Sequence, residues 1–150
     1  MATEKIVDLR QEQNKEVVRR LIEEGFGQGN LAAVDELVAP DLMEHQAGMP
    51  QGREGLRKVI VGLRGILPDL HYTIEDITAS GDRVWIRLRG YGTHRGEFMG
   101  LLPTGKAVVI DVIDICRLED GKVVEHWGVP DRFSMLEQLG ILQRLQRPTT

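Results

Sequence analysis

The residues best suited to chemistry lie at positions 110–131, where the sequence reads IDVIDICRLEDGKVVEHWGVPD. This stretch predicts a β-hairpin with Asp114 on its first arm and His126 on its second. Strand alternation makes Asp114 the only charge in an otherwise apolar row, which consists of Val108, Ile110, Val112, Asp114, Cys116 and Leu118. A neighbouring carboxylate favours the charged form of an imidazole, whereas apolar surroundings oppose it. The balance of the two effects sets the pKa of an acid/base group. The pattern fits either an acid/base pair or a satisfied polar pair inside a core.

The turn between the two arms decides whether these groups meet. A three-residue loop at 119–121 places Asp114 opposite His126, with Val124 and Gly128 in the same row, whereas a two-residue type I′ turn places Asp114 opposite Trp127 and turns His126 to the other face. We predict the three-residue loop. It places the mostly apolar row Val124, His126 and Gly128 of the second arm on the same face as the apolar row that contains Asp114. Opposed residues have Cβ atoms about 4.5 to 5.5 Å apart, which allows a hydrogen bond.

Composition limits the class of protein. A chain of 150 residues favours one domain over 1–150, and its net charge of −4, with basic residues scattered among acidic ones, argues against nucleic acid or an anionic membrane as partner. The single cysteine, Cys116, excludes an intramolecular disulfide and a cysteine-based zinc cluster. No apolar run resembles a signal peptide or a membrane span, so we expect a soluble, cytoplasmic protein.

The order of the predicted elements indicates the fold class. Helical spacing at 11–26, 31–38 and 53–67 precedes strand-like alternation at 70–79 and 83–91 and the hairpin, and Asp131 caps a short final helix. This order predicts an α+β domain in which three N-terminal helices cover one face of a curved, mainly antiparallel sheet, forming a cone. Residues 1–10 and 144–150 are predicted to be flexible tails.

Several motifs together carry a family resemblance. They are GTHRGEFMGLLPTGK, DICRLEDGKVVEHW and the closing PDRFSMLEQLG, together with FGQGN and APDLMEH near the start. Over roughly residues 12–142 the chain resembles the SnoaL-like polyketide cyclase family of the nuclear-transport-factor-two-like superfamily. The resemblance implies an α+β cone with a deep apolar pocket, a homodimer through the outer sheet face, and neither a metal nor an organic cofactor.

The resemblance also implies where an acid should stand. In the aldol-type cyclases of this family, the acid/base aspartate shortly follows the histidine of the second arm, and the matching position here is Gly128. A histidine on the first arm of those proteins corresponds to Asp114. Either the acid has moved across the hairpin with His126 retained, or the activity has been lost.

The candidate site follows from both arguments. Asp114 and His126 are the predicted catalytic residues, and no metal site is predicted. The predicted substrate-binding residues are Met43, His45, Tyr72, His94, Val112, Val124 and Gly128. Only one of the neighbours Glu44 and His45 can point inward from an extended segment, and the prediction takes His45. The Tyr72 hydroxyl is a candidate donor to a substrate oxygen, and Trp127 is assigned to the outer face.

Two functions are compatible with such a pocket. The first is cofactor-independent acid/base catalysis on a small carbonyl or polyketide-like compound, by cyclisation, isomerisation or an aldol or retro-aldol step. The alternative is a non-catalytic protein that binds a small hydrophobic metabolite, since an apolar pocket with a few polar groups holds a ligand in either case.

Overall fold

The computed structural model describes residues 2–146, with side chains from residue 9 onward. Helix α1 (Ala2–Arg20) runs directly into a π-helical segment (Leu21–Phe26), and the loop that follows leads to α2 (Leu31–Leu37). The side chain of Asn30 caps α2 by accepting a hydrogen bond from the backbone N–H of Ala33, at 3.2 Å. Strand β1 (Val38–Glu44) and helix α3 (Gly52–Ile66) complete the N-terminal half.

The C-terminal half supplies four strands and two short helices. The strands are β2 (His71–Ser80), β3 (Arg83–Thr93), β4 (Ala107–Glu119) and β5 (Lys122–Pro130), and the helices are α4 (Arg132–Gln138) and α5 (Ile141–Leu145). The backbone is helical from Ala2 and again up to Leu145, within the two segments predicted to be tails. Residues 1 and 147–150 lie outside the described residues.

The five strands form one curved sheet in the order β1-β5-β4-β3-β2. Neighbours pair antiparallel except at one edge, where β1 runs parallel to β5. Val84, Ile86 and Leu88 of β3 are buried on the face that packs against α1 and α3, as their alternation predicts. The predicted α+β class, with a curved sheet backed by helices and a short C-terminal helix, is confirmed. No helix within residues 2–146 is long and apolar enough to cross a bilayer.

The hairpin register differs from the prediction in two ways. The turn has two residues, with φ of 47° at Asp120 and 75° at Gly121, because aspartate tolerates the left-handed region that a type I′ turn requires. A β-bulge then leaves Val124 without a partner between the Leu118–Val123 and Arg117–Glu125 pairs.

The predicted pairing of Asp114 with His126 is therefore wrong. Asp114 pairs with Gly128, and His126 pairs with Cys116. The shorter turn alone would have moved His126 to the opposite face, but the extra residue of the bulge restores the parity. His126 consequently lies two residues from the position opposite Asp114 and on the same face of the sheet.

Candidate functional site

A cavity of about 540 Å³ lies between the concave face of the sheet and the helices. Its walls are mostly apolar, with contributions from α1, α3, β3, β4 and α4. The polar and charged side chains in its lining are Glu44, Gln46, Tyr72, Asp114, His126 and Arg132. An enclosed apolar volume of this size with a few polar groups is typical of a site for a small molecule.

His126 bridges two buried carboxylates in this lining. Its Nε2 lies 3.1 Å from Asp114 Oδ1, and its Nδ1 lies 2.8 and 2.9 Å from the two carboxylate oxygens of Glu44. Glu44 is only 5% exposed and Asp114 only 8%. Burial opposes charge on the ring, but the hydrogen bonds to Asp114 and Glu44 outweigh it and raise the pKa of His126 to about 9. At neutral pH the ring is an imidazolium whose two N–H groups both donate.

Glu44 is the central residue that the sequence prediction missed. It ends β1, where Leu42 and Glu44 face inward, and the parallel pairing of β1 with β5 places Glu44 beside His126. Its main chain is held by the Gln51 side chain, which accepts from its N–H at 2.9 Å and donates to its C=O at 2.7 Å. The sequence offered a weak signal, because in an extended segment Glu44 shares a face with Leu42, whereas His45 shares one with Met43.

Gly128 faces Asp114 directly across the hairpin. A Cβ at position 128 would lie 2.6 Å from Asp114 Oδ1 and 2.8 Å from His126 Cε1, and it would also meet the Gln46 carboxamide. The Asp114 carboxylate therefore occupies the volume into which a side chain at 128 would project. Gly128 contributes to the site by having no side chain.

Two other predicted residues line the cavity. Val112 is part of the apolar wall, and the Tyr72 ring packs edge-on against Phe26, with ring centroids 6.2 Å apart. The Tyr72 hydroxyl has no hydrogen-bond partner among the described residues. Burial, assisted by the charge of Asp114, raises the pKa of Tyr72 above its ordinary value, so the phenol stays neutral and remains a donor.

Four predicted residues of β1 and β5 lie outside the cavity lining, namely Gly128, described above, and three others. His45 is exposed because Glu44 takes the inward position; it stacks on Trp127, with ring centroids 4.8 Å apart, and its Nε2 is 2.7 Å from a Glu125 oxygen. Met43 has the same outward parity and is also exposed. Val124 is the bulged residue, so it does not join the inward row. Trp127 stays on the outer face, because the bulge offsets the shorter turn.

His94 is buried, but it also lies outside the cavity lining. It follows the inward parity of β3 just past the end of that strand, and its Nδ1 accepts from the N–H and the hydroxyl of Thr104, at 3.2 and 2.9 Å. Nε2 therefore carries the proton, and it finds no partner in the described part of the chain. The ring anchors the loop after β3 rather than facing a ligand.

A metal site is not evident in this arrangement. Among residues 9–146, whose side chains are described, no three histidine, cysteine, aspartate or glutamate side chains are grouped to hold an ion. The network of Glu44, His126 and Asp114 can instead hold and transfer a proton beside an apolar ligand.

The family follows from the comparison with known proteins. The family model described as SnoaL-like polyketide cyclase matches residues 16–139, so the chain belongs to this family, as the motifs predicted. Aklanonic acid methyl ester cyclase DnrD of Streptomyces peucetius is 27% identical over 132 residues, covering 83% of this chain and 89% of the relative.

Two solved structures show the same fold. IdmH of Streptomyces antibioticus, a candidate polyketide cyclase, has a TM-score of 0.76 and 37% identity, over 85% of this chain and 99% of that one. A candidate SnoaL-like polyketide cyclase of Jannaschia has a TM-score of 0.79 and 26% identity, over 92% of this chain and 95% of that one.

Proposed function

We propose that this protein is a cofactor-independent cyclase for an apolar, polyketide-like compound, with Asp114 as its acid/base group. The observation that carries the proposal is an imidazolium held between two buried carboxylates in the wall of an apolar cavity. Membership of a family of polyketide cyclases supports the reaction class. The cavity supports a mainly apolar substrate.

The hydrogen bonds support Asp114 as the base. His126 cannot accept a proton while it is an imidazolium, and its pKa of about 9 keeps it in that form at neutral pH. Both oxygens of Glu44 accept from His126, and Oε1 also accepts from the N–H of Gln46 at 2.8 Å. Asp114 uses Oδ1 for His126, whereas its Oδ2 has no partner among the described residues. Asp114 Oδ2 is thus the free carboxylate oxygen of the network.

The proposed reaction is an intramolecular aldol cyclisation. Asp114 Oδ2 removes a proton from a carbon next to a substrate carbonyl, and the C–H electron pair forms an enolate. The enolate carbon then bonds to the carbon of a second carbonyl in the same molecule, and the resulting alkoxide takes the proton back from Asp114. The product is an isomer of the substrate. Tyr72, as a neutral phenol, donates to a substrate oxygen.

The geometry at Gly128 supports the alternative in which the acid has moved across the hairpin to Asp114, rather than the one in which the activity has been lost. The carboxylate of Asp114 fills the space over Gly128, which is the position that the family pattern assigns to the acid. His126 remains hydrogen-bonded to it, as a neighbour of that acid should be. A carboxylate on the facing strand can thus reach the space that a side chain at position 128 would enter.

The direct test uses aklanonic acid methyl ester, the compound named for the relative DnrD. Purified protein should convert it to a product of the same mass with a different chromatographic retention time. Asp114→Asn should slow this conversion by about 10²-fold or more. Asp111→Asn is the matched control, because Asp111 lies on the same strand but is exposed and paired with Arg89 on the outer face. Asp111→Asn should retain the wild-type rate.

The result has a clear opposing outcome. Equal rates for Asp114→Asn and the wild-type protein would remove Asp114 from the chemistry. Stable binding of the ester without conversion would instead favour the function of a binding protein.

A further inference from the structure

Gln46 is a cavity residue to which the acid/base network assigns no chemical task. It lies in the loop between β1 and α3, two residues beyond Glu44, and its side chain joins the cavity lining. The carboxamide lies over the bare Cα of Gly128, where its Oε1 is the nearest atom to the position of a missing Cβ, and Asp114 Oδ1 is 2.6 Å from the same point. The carboxamide of Gln46 and the carboxylate of Asp114 therefore lie side by side in the space over Gly128.

The main chain of Gln46 is fixed while its carboxamide remains free. Its N–H donates to Glu44 Oε1 at 2.8 Å, and its C=O accepts from the N–H of Met49 at 3.2 Å in a tight turn. The carboxamide makes no hydrogen bond with any group in the described part of the chain. The side chain is half-buried in the cavity wall, so its two N–H donors are available to a ligand.

Some donors near Asp114 are already engaged. Both N–H groups of His126 are directed at carboxylates, and one N–H of the Arg132 guanidinium donates to the C=O of Ala47 at 2.8 Å. The Tyr72 hydroxyl and the Gln46 carboxamide make no hydrogen bond within the described residues, and the proposed aldol step develops charge on two substrate oxygens, one at each carbonyl. Gln46 stands beside the base on a fixed main chain and can donate to the carbonyl that is enolised, which leaves Tyr72 for the other.

We propose that Gln46 is a further catalytic residue, whose carboxamide donates to the oxygen of the carbonyl that Asp114 enolises. This inference rests on the proposed function. As Asp114 takes the proton, the C–H electron pair becomes the enolate C=C bond and the carbonyl π pair moves to oxygen, leaving a negative charge there. A hydrogen bond aimed at that oxygen strengthens as the charge develops, which lowers the barrier to proton removal. The ligand class is a ketone with an α-hydrogen on an apolar, aryl-like body.

Binding of two ligands of the same shape tests the hydrogen bond without requiring turnover. The probes are 2-acetylnaphthalene and 2-isopropenylnaphthalene, in which a CH2 group replaces the carbonyl oxygen. The ratio of their affinities for the wild-type protein should fall by about 3- to 10-fold in Gln46→Met, which keeps the chain length but has no N–H donor. The carbonyl stretch of the bound ketone should move to higher frequency in the same variant.

Met49→Leu is the matched control, because Met49 lines the cavity from the same loop. A change of wall shape alone should alter both affinities by the same factor and leave their ratio at the wild-type value.

The outcomes separate this inference from the proposed function. An unchanged ratio and carbonyl frequency in Gln46→Met would overturn the inference, as would failure of the wild-type protein to bind the ketone. A reduced ratio with no cyclisation of aklanonic acid methyl ester would leave Gln46 as a carbonyl-binding residue in a protein that is not a cyclase of that ester. Cyclisation with an unchanged ratio would retain the cyclase and remove Gln46 from it.

Discussion

The charge on His126 determines what each residue of the network can do. Two carboxylates around one imidazolium leave the group with a net charge of −1, and the hydrogen bonds direct both ring N–H groups at carboxylates. Glu44 then acts by holding the ring in its charged form, while Asp114 retains one free oxygen. The two carboxylates are chemically alike but differ in how many of their oxygens are occupied.

The first prediction concerns the titration of His126. Its folded pKa of about 9 lies above the ordinary value of 6.5, so the network stabilises the fold fully below pH 6.5 and loses this contribution as pH rises through 9. The full effect is on the order of 3 kcal/mol. NMR of the ring should show a midpoint near pH 9, and Glu44→Gln should lower it. A wild-type midpoint near 6.5 would contradict the charged network.

Sequence reasoning reached part of this site. The alternation of β4 identified Asp114 as a charge in an apolar row, and the hairpin pattern identified His126. It missed Glu44 because both Leu42 and Met43 are apolar, which leaves the inward face of β1 undecided. The pairing of β1 with β5 settles the choice, and such a contact between distant segments is not visible in local alternation.

The second prediction concerns Gly128. Gly128→Ala should lower both the activity, by about 10²-fold, and the stability, because the new Cβ displaces the Asp114 and Gln46 side-chain ends and presses on the His126 ring. Kinetics and thermal unfolding measure the two effects. Gly62→Ala is the control: a Cβ there meets nothing within 4 Å, and alanine stabilises a helix by up to about 1 kcal/mol relative to glycine. Full activity of Gly128→Ala would show that the space over Gly128 is not needed for catalysis.

At the scale of elements, the loop between β3 and β4 closes one side of the cavity. Phe98 and Met99 of this loop join the cavity lining, and Phe98 pairs with Leu101 through backbone hydrogen bonds of 3.0 and 2.8 Å. His94 and Thr104 tie the two ends of the loop together. The buried histidine that the sequence suggested as a binding residue thus holds the two ends of this loop together.

The third prediction tests this anchor. Thr104→Val removes the hydroxyl donor to His94 and should cost about 0.5 to 1.5 kcal/mol, with faster hydrogen exchange at the Phe98 and Leu101 amides. Thr73→Val is the control, since the Thr73 hydroxyl bonds only the exposed Glu75. Unchanged exchange in Thr104→Val would show that the loop is held by other contacts.

The hairpin explains why some elements escape prediction. Residues 119–122 fit more than one turn, and the sequence could not reveal that Val124 would form a bulge. The two errors cancelled: a shorter turn and one extra residue returned His126 to the expected face. The α+β class was more secure, because it depends on the order and periodicity of whole segments rather than on a single residue.

At the scale of the whole molecule, the outer face of the sheet combines exposed apolar side chains with ion pairs. Trp85, Ile113 and Val129 are exposed there, and the Arg89–Asp111 ion pair lies next to Ile113. Aromatic and arginine side chains on an apolar patch are typical of protein interfaces. We propose that two copies of the chain pair through this face.

The fourth prediction follows from that proposal. Ile113→Arg should convert a dimer into a monomer of about 16.9 kDa in sedimentation experiments, because it replaces an exposed apolar side chain of this face with a second positive charge opposite Arg87. Val61→Arg is the control: Val61 is at least as exposed as Ile113, but it lies on α3 in the helical layer. A wild-type protein that sediments as a monomer at micromolar concentration would refute the pairing.

Because the side chains at positions 114 and 128 share the space over Gly128, the effect of a substitution at one position should depend on the residue at the other. Asp114→Gly alone removes the acid, and Gly128→Asp alone forces a second carboxylate into a volume that the first one fills. Only the double variant has one carboxylate in that volume, so its activity should exceed the product of the two single effects. Each single variant should therefore be less active than both the wild-type protein and the double variant.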